Sequence, residues 1–168
     1  LMADLHRRSG ALEAARRELE QLLRLHPSNQ ELLQLAVLVD LQEGRGQNAL
    51  KRLMAQFALR PEGQRLELGL LLADLHRQLD QSKAAADLYQ QLAKESAEDV
   101  RAVIALAMLH QEQGNAAQVQ RWLEQARLRR GNNDRPDPLI DDLAYRWGLR
   151  AARVRAEQQR SEVPAPTP

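Results

Sequence analysis

The sequence predicts an all-α fold, a solenoid of antiparallel helical hairpins, and three observations carry that prediction. Alanine, leucine, glutamine, arginine and glutamate dominate, aromatics are only 3% and β-branched residues are sparse, so intrinsic propensity favours helix throughout. Ala3-Asp4-Leu5-His6-Arg7 recurs letter for letter as Ala73-Asp74-Leu75-His76-Arg77, and the segments that follow share Ala14-Ala15 with Ala84-Ala85 and Gln21-Leu22 with Gln91-Leu92. Gly44, Ala49 and Pro61 follow Gly10, Ala15 and Pro27 by 34 residues, as Gly114 follows Asp80. A period of that size marks repeated hairpins, each unable to bury its own apolar face and obliged to stack on the next.

Turn residues punctuate four copies at Gly10, Gly44, Asp80 and Gly114, with one interval longer by two residues. The first helix of each copy carries Ala3, Val37, Ala73 or Ala107. The second carries a small residue five positions after the turn, Ala15, Ala49, Ala85 or Val119, followed one helical turn later by Leu19, Leu53, Tyr89 or Leu123. Pro27 and Pro61 close the first two copies, where Ala97 and Gly131 stand in the last two. This spacing, with the Pro-Ser-Asn and Pro-Glu-Gly hairpin ends, resembles the tetratricopeptide repeat along about three quarters of the chain. The resemblance implies a right-handed superhelical solenoid with small residues where helices cross closely, and a protein-binding scaffold rather than an enzyme. One departure concerns the large aromatic usual near the start of the first helix. Leu33, Gly69 and Val103 take its place, so looser packing is expected there.

In chain order, the hairpins are expected at 1–8 with 12–25, 30–43 with 47–59, 64–79 with 82–95, and 98–113 with 116–130. The four occupy residues 1–131, and the first lacks the beginning of its first helix, which implies further helix upstream. Residues 132–160 form a loop and a last helix. Asp137-Pro138 gives that helix an N-cap acceptor and a proline in its first turn. Ile140, Leu143, Trp147, Ala151 and Val154 form one apolar stripe, with Arg146, Arg150, Arg153 and Arg155 largely off it, as a solenoid's terminal cap requires. The proline-rich tail 161–168 is expected to be disordered.

Composition excludes several classes of function. Twenty-four Lys and Arg against 23 Asp and Glu leave a formal charge of +1, so no global field attracts nucleic acid or an anionic membrane. The absence of cysteine removes disulfides, thiolate nucleophiles and sulfur-ligated metals. The longest apolar runs, 68–73 and 103–109, fall far short of the roughly 20 residues of a membrane helix, and no signal-peptide pattern is present. The cytoplasm stands as the default compartment.

His6, His76 and His110 share one repeat position, with Asp40 in the remaining copy. Stacked helices lie about 10 Å apart, whereas zinc needs its ligands within about 2.3 Å, so these residues are expected to be half-buried packing positions, with no metal or cofactor. Catalytic residues are not expected either. Glu98-Asp99 and Asp141-Asp142 suit helix N-termini, and every serine falls in a turn or the tail. The basic run Arg127, Arg129, Arg130 and Arg135 is offset by Asp134, Asp137, Asp141 and Asp142, which disfavours a nucleic-acid partner.

By resemblance, the first helices line a concave groove exposing Asp4, Gln34, Leu38, Leu41, Leu70, Asp74, Arg77, Arg101, Ile104, Met108 and Gln111. Its apolar centre, Leu38, Leu41, Leu70, Ile104 and Met108, suits an amphipathic helix or extended peptide, with Asp74 and Arg77 fixing register. The expected function is therefore an adaptor or assembly factor with a protein or peptide partner. The alternative is a structural or oligomerisation segment whose groove is filled by the last helix or by another copy. A clamp for a C-terminal carboxylate is disfavoured, because the matching positions include Asp4, Leu35, Glu67 and Leu71.

Overall fold

The computed structural model describes residues 2–129 and 138–146, and every regular element among them is an α-helix. The first hairpin pairs α1 (Met2–Arg8) with α2 (Leu12–Leu25), and the second pairs α3 (Gln30–Gln42) with α4 (Gly46–Ala58). The third pairs α5 (Leu66–Gln78) with α6 (Ser82–Glu95), and the fourth α7 (Arg101–Glu112) with α8 (Ala116–Arg129); α9 spans Pro138–Arg146. The chain divides into two compact units, Leu1–Ser96 and Ala97–Pro168.

Each hairpin turn has the same construction. Gly10, Gly44, Asp80 and Gly114 all adopt positive φ. The amides of Ala11, Arg45, Gln81 and Asn115 donate to the carbonyls of His6, Asp40, His76 and His110 at 2.6–2.9 Å, and each turn residue's own amide donates three residues back. This double bond is a Schellman closure, which uses a left-handed residue to satisfy the last carbonyls of a helix. The two extra residues of the long interval lie in the connection 59–65, where Gly63 also takes positive φ, and α5 accordingly starts at Leu66 rather than 64. Asn29 caps α3 by accepting the Leu32 amide at 3.0 Å, and Asn115 caps α8 from Gln118 at 3.3 Å.

The repeated small and large positions are the core. Ala3, Val37, Ala73 and Ala107, then Ala15, Ala49, Ala85 and Val119, then Leu19, Leu53, Tyr89 and Leu123 are all buried. In the first unit, Ala3, Ala15 and Leu19 form one cluster with Leu32, Leu35, Ala36 and Val39 of the next hairpin. A second cluster joins Leu33, Val37, Ala49, Leu50 and Leu53 to Leu68, Leu72 and Leu75 of α5. Burying a leucine of this kind is worth about 1.5–3 kcal/mol, so these seams account for much of the stacking.

The expectation of looser packing at the missing aromatics fails at Gly69. Leu33, Gly69 and Val103 are all buried. At Gly69 the vacated volume is occupied, since a β-carbon there would meet Leu92 Cδ2 at 2.5 Å and Phe57 Cε2 at 2.9 Å. The aromatic ring has moved to the preceding hairpin's second helix, and only glycine leaves room for it.

In the second unit α7 packs on α8, and α9 also touches α8. Ile140 of α9 is buried and Leu143 half-buried, in line with the apolar stripe. Trp147, Ala151, Val154, Arg150, Arg153, Arg155 and the tail 161–168 lie outside the described residues, as do Arg130 and Arg135. No helix among the described residues is long and apolar enough to cross a membrane.

Candidate protein-binding face

In the first unit the groove positions fall on α1, α3 and α5, and their burial separates them into kinds. Leu38 of α3 is 46% exposed, although it lies between buried Val37 and Val39. Gln34, one turn before it, is also exposed. Leu41 and Leu70 are half-buried, and Leu41 packs against the cluster that joins the second and third hairpins. Leu41 therefore has a structural share in the core, and Leu38 is the exposed apolar residue of this face.

The polar groove residues are engaged within the chain. Asp4 pairs with Arg7 at 2.9 Å and Arg8 at 3.1 Å on its own helix. Asp74 accepts a hydrogen bond from the hydroxyl of Tyr89, a buried ring on α6. This bond gives the phenol the partner that a buried hydroxyl requires. Arg77 is half-buried. Two residues of the disfavoured carboxylate clamp are similarly committed, since Leu35 is buried in the first cluster and Leu71 packs on the second.

In the second unit the positions are Arg101, Ile104, Met108 and Gln111 on α7. Met108 is 38% exposed, and Ile104 and Gln111 are half-buried. Arg101 is occupied by Asp99, which takes its guanidinium at 2.9 Å and its backbone amide at 2.8 Å. The hydrogen bonds from Arg101 hold the Asp99 carboxyl below its ordinary value. Arg129 donates to the Asp99 carbonyl at 3.0 Å, and Arg127 pairs with Glu124 at 3.5 Å. Two described arginines of the basic run thus have partners inside their own unit.

The shared His/Asp position meets a partner farther along its own hairpin in the first three copies. His6 on α1 faces Glu18 on α2 at 3.6 Å, and Asp40 on α3 faces Arg52 on α4, twelve residues on in both cases, also at 3.6 Å. His76 bonds instead through Nδ1 to Gln81 Oε1 at 2.7 Å. The three histidines are half-buried, but Asp40 is only 2% exposed, and burial pushes its carboxyl up despite Arg52. Among the described residues no group of three His, Asp or Glu side chains could hold a metal ion.

Two features of the first unit have no repeat signature. Arg65, in the long connection, binds Glu95 at 2.9 Å through Nε with a second bond through Nη2, and its guanidinium carbon lies 4.6 Å from the Phe57 ring centroid. That hydrogen-bonded pair holds Glu95 below the usual carboxylate range. On the second-helix side, a cavity of about 260 Å³ lies between α2, α3 and α4, with Leu23, Pro27 and Leu33 as apolar lining and Arg24 and Arg52 among its polar lining. Sequence reasoning found neither, because both bring together residues some thirty apart that do not recur at the period.

No family model matches the chain, and no curated protein matches it in sequence. Its fold is shared with solved structures. MamA is 20% identical over 92% of this chain and 90% of MamA, with a TM-score of 0.58. YrrB, described as a TPR protein with an unusual peptide-binding site, is 14% identical over 86% of this chain and 71% of its own, with a TM-score of 0.60. A tetratricopeptide repeat protein from Parabacteroides merdae is 20% identical over 98% of this chain and 64% of its own, with a TM-score of 0.61.

Proposed function

Starting from the tetratricopeptide-repeat fold of this chain, we propose that it is a protein-interaction scaffold with no catalytic chemistry, seating a partner peptide or amphipathic helix on the first-helix faces of its hairpins. The single observation that carries this reading is Leu38. Its neighbours Val37 and Val39 are in the core, whereas Leu38 points an apolar side chain outward at 46% exposure beside half-buried Leu41. Met108 holds the corresponding position in the second unit's first helix at 38% exposure. Exposed leucine and methionine flanked by residues already rigid in a core are preorganised, which lowers the entropy lost on binding.

The pairing of Asp4 with Arg7 and Arg8, and the engagement of Asp74 by the Tyr89 hydroxyl, support an apolar partner surface over one recognised by charge. The description of YrrB as peptide-binding supports the same class of partner. Packing of α9 on α8, a second helix, supports a capping role for α9 over a groove-filling one.

The test is a peptide library displayed against the full chain, followed by measurement of selected binders on variants. Leu38→Glu is expected to weaken binding at least tenfold, about 1.4 kcal/mol or more, without loss of helicity. Leu25→Glu is the control, because Leu25 is more exposed, at 73%, but belongs to a second helix. Equal effects from the two, or none from Leu38→Glu, would remove the proposed face.

A further inference from the structure

The cavity of about 260 Å³ between α2, α3 and α4 lies where the first two hairpins stack, and the seam between the second and third hairpins contains the same repeat positions. Matched through the period and its one longer interval, the lining residues Leu23, Arg24, Leu33, Arg52 and Gln56 correspond to Phe57, Ala58, Gly69, Leu88 and Leu92. In that second seam the chain fills the space itself. A β-carbon on Gly69 would meet Leu92 at 2.5 Å and Phe57 at 2.9 Å, and Leu88 packs on the same cluster. In the first seam a smaller leucine replaces the phenylalanine, Gln56 replaces a leucine, and Arg24 and Arg52 replace an alanine and a leucine. Leu33 is larger than the glycine it matches, yet the hollow stays open.

The two arginines of the lining have donors to spare. Arg24 is exposed and has no hydrogen bond or ion pair among the described residues. Arg52 is half-buried, and its nearest carboxylate, Asp40, lies at 3.6 Å, too long for a hydrogen bond. Glu20, the acid in the lining, is taken by Arg16 at 3.0 Å. Two arginines against one glutamate leave the lining positive. Arg60, just past α4, donates to the Ser28 carbonyl at 2.8 Å and so braces the connection carrying Pro27 against the second hairpin. The hollow is therefore preformed, which lowers the cost of filling it.

We infer that this cavity binds a small organic acid, a carboxylate carried on a short aliphatic body, with the body against Leu23, Pro27 and Leu33 and the carboxylate taken by Arg24 and Arg52. A guanidinium presents paired donors that match the two oxygens of a carboxylate. The volume is below the roughly 300–1,000 Å³ of pockets for drug-sized ligands, which limits the body to a few carbons. Such a site is independent of the partner face around Leu38.

The test titrates hexanoate into the isotope-labelled full chain at about pH 7, where the acid is ionised, and follows backbone amide and arginine side-chain chemical shifts. The expected result is saturable perturbation centred on residues 20–27 and 52–56, with a dissociation constant on the order of 1 mM. Acetate has the charge without the body and hexanol the body without the charge, so each should bind roughly tenfold more weakly or worse. Arg24→Gln and Arg52→Gln should each weaken hexanoate roughly fivefold or more. Arg24 is exposed, so its variant keeps the fold even where loss of Arg52 beside buried Asp40 disturbs it. No saturable binding of hexanoate, equal binding of acetate or hexanol, or unchanged affinity in either variant would overturn the inference, as would perturbations centred on α3 around Leu38.

Discussion

Phe57 lies against the backbone of Gly69 so closely that a β-carbon on the glycine would sit 2.9 Å from its ring edge and 2.5 Å from Leu92 Cδ2. The ring comes from α4 and the glycine from α5, so the contact links two consecutive hairpins. Arg65 lies over the same ring and holds Glu95 at the far end of α6. The connection 59–65, longer than its counterparts, thereby feeds a guanidinium between the second hairpin's aromatic and the third hairpin's carboxylate.

Gly69→Ala should destabilise the chain although alanine is the better helix former by about 1 kcal/mol. Overpacking against Leu92 and Phe57 costs roughly 1–3 kcal/mol, and Leu92 is itself buried and has little room to move. A urea midpoint below that of the parent is the expected outcome; an unchanged or higher midpoint would mean that the seam relaxes freely.

Asp80 is the one described residue other than glycine with positive φ, at 58°. The left-handed conformation costs a residue bearing a β-carbon roughly 1–2 kcal/mol, part of which aspartate recovers locally. Asp80→Gly should therefore stabilise by up to about 1 kcal/mol, and Gly44→Ala, at φ 72°, should destabilise by about the strain. Thermal melts of the two variants in parallel check the pair of signs.

Ala15 and Ala85 are both fully buried where the helices of a hairpin cross. Replacing either with leucine should cost roughly 1–3 kcal/mol, read as a lower urea midpoint at unchanged slope. Unaltered stability would place these residues outside the crossings.

The repeat register and the turns were legible because the period multiplies each weak signal by four. A small residue at Ala15 alone means little, whereas Ala15, Ala49, Ala85 and Val119 at matched spacing demand a close crossing. Gly69 was misread because the residue filling its space, Phe57, belongs to another hairpin and appears at no equivalent position elsewhere. Asp40 shows a second limit. Its membership of the His6, His76 and His110 set was visible, but its near-complete burial and the charges of Arg52, Glu43, Arg45 and Glu20 that act on it come from several helices, which no single helix pattern reveals. Within the groove set, exposure of Leu38 and the core share of Leu41 differ by less than one helical turn, finer than the pattern of apolar spacing resolves.

Two carboxylates should move stability with pH in opposite directions. Glu95 is held below its ordinary value of 4.5 by Arg65, so its contribution is complete above that value and lost as pH falls through the lower folded one. Asp40 is raised above 3.8 by burial, so its contribution is present below that value and lost as pH rises through the folded one. Glu95→Gln should consequently lower the urea midpoint at about pH 7, with the deficit shrinking below about pH 4. Asp40→Asn should raise the midpoint at about pH 7, with the gain shrinking toward about pH 4. Identical profiles for both variants would show that neither carboxylate is linked to folding as its surroundings imply.

The central claim is that the first-helix faces bind a partner, and the most direct measurement maps a library-selected peptide on the isotope-labelled full chain by amide chemical-shift perturbation. Perturbations centred on α3 and α5 around Leu38, or on α7 around Met108, are expected. Perturbations confined to α2 and α4, along the cavity lined by Leu23 and Arg24, would contradict the claim and move binding to the second-helix side.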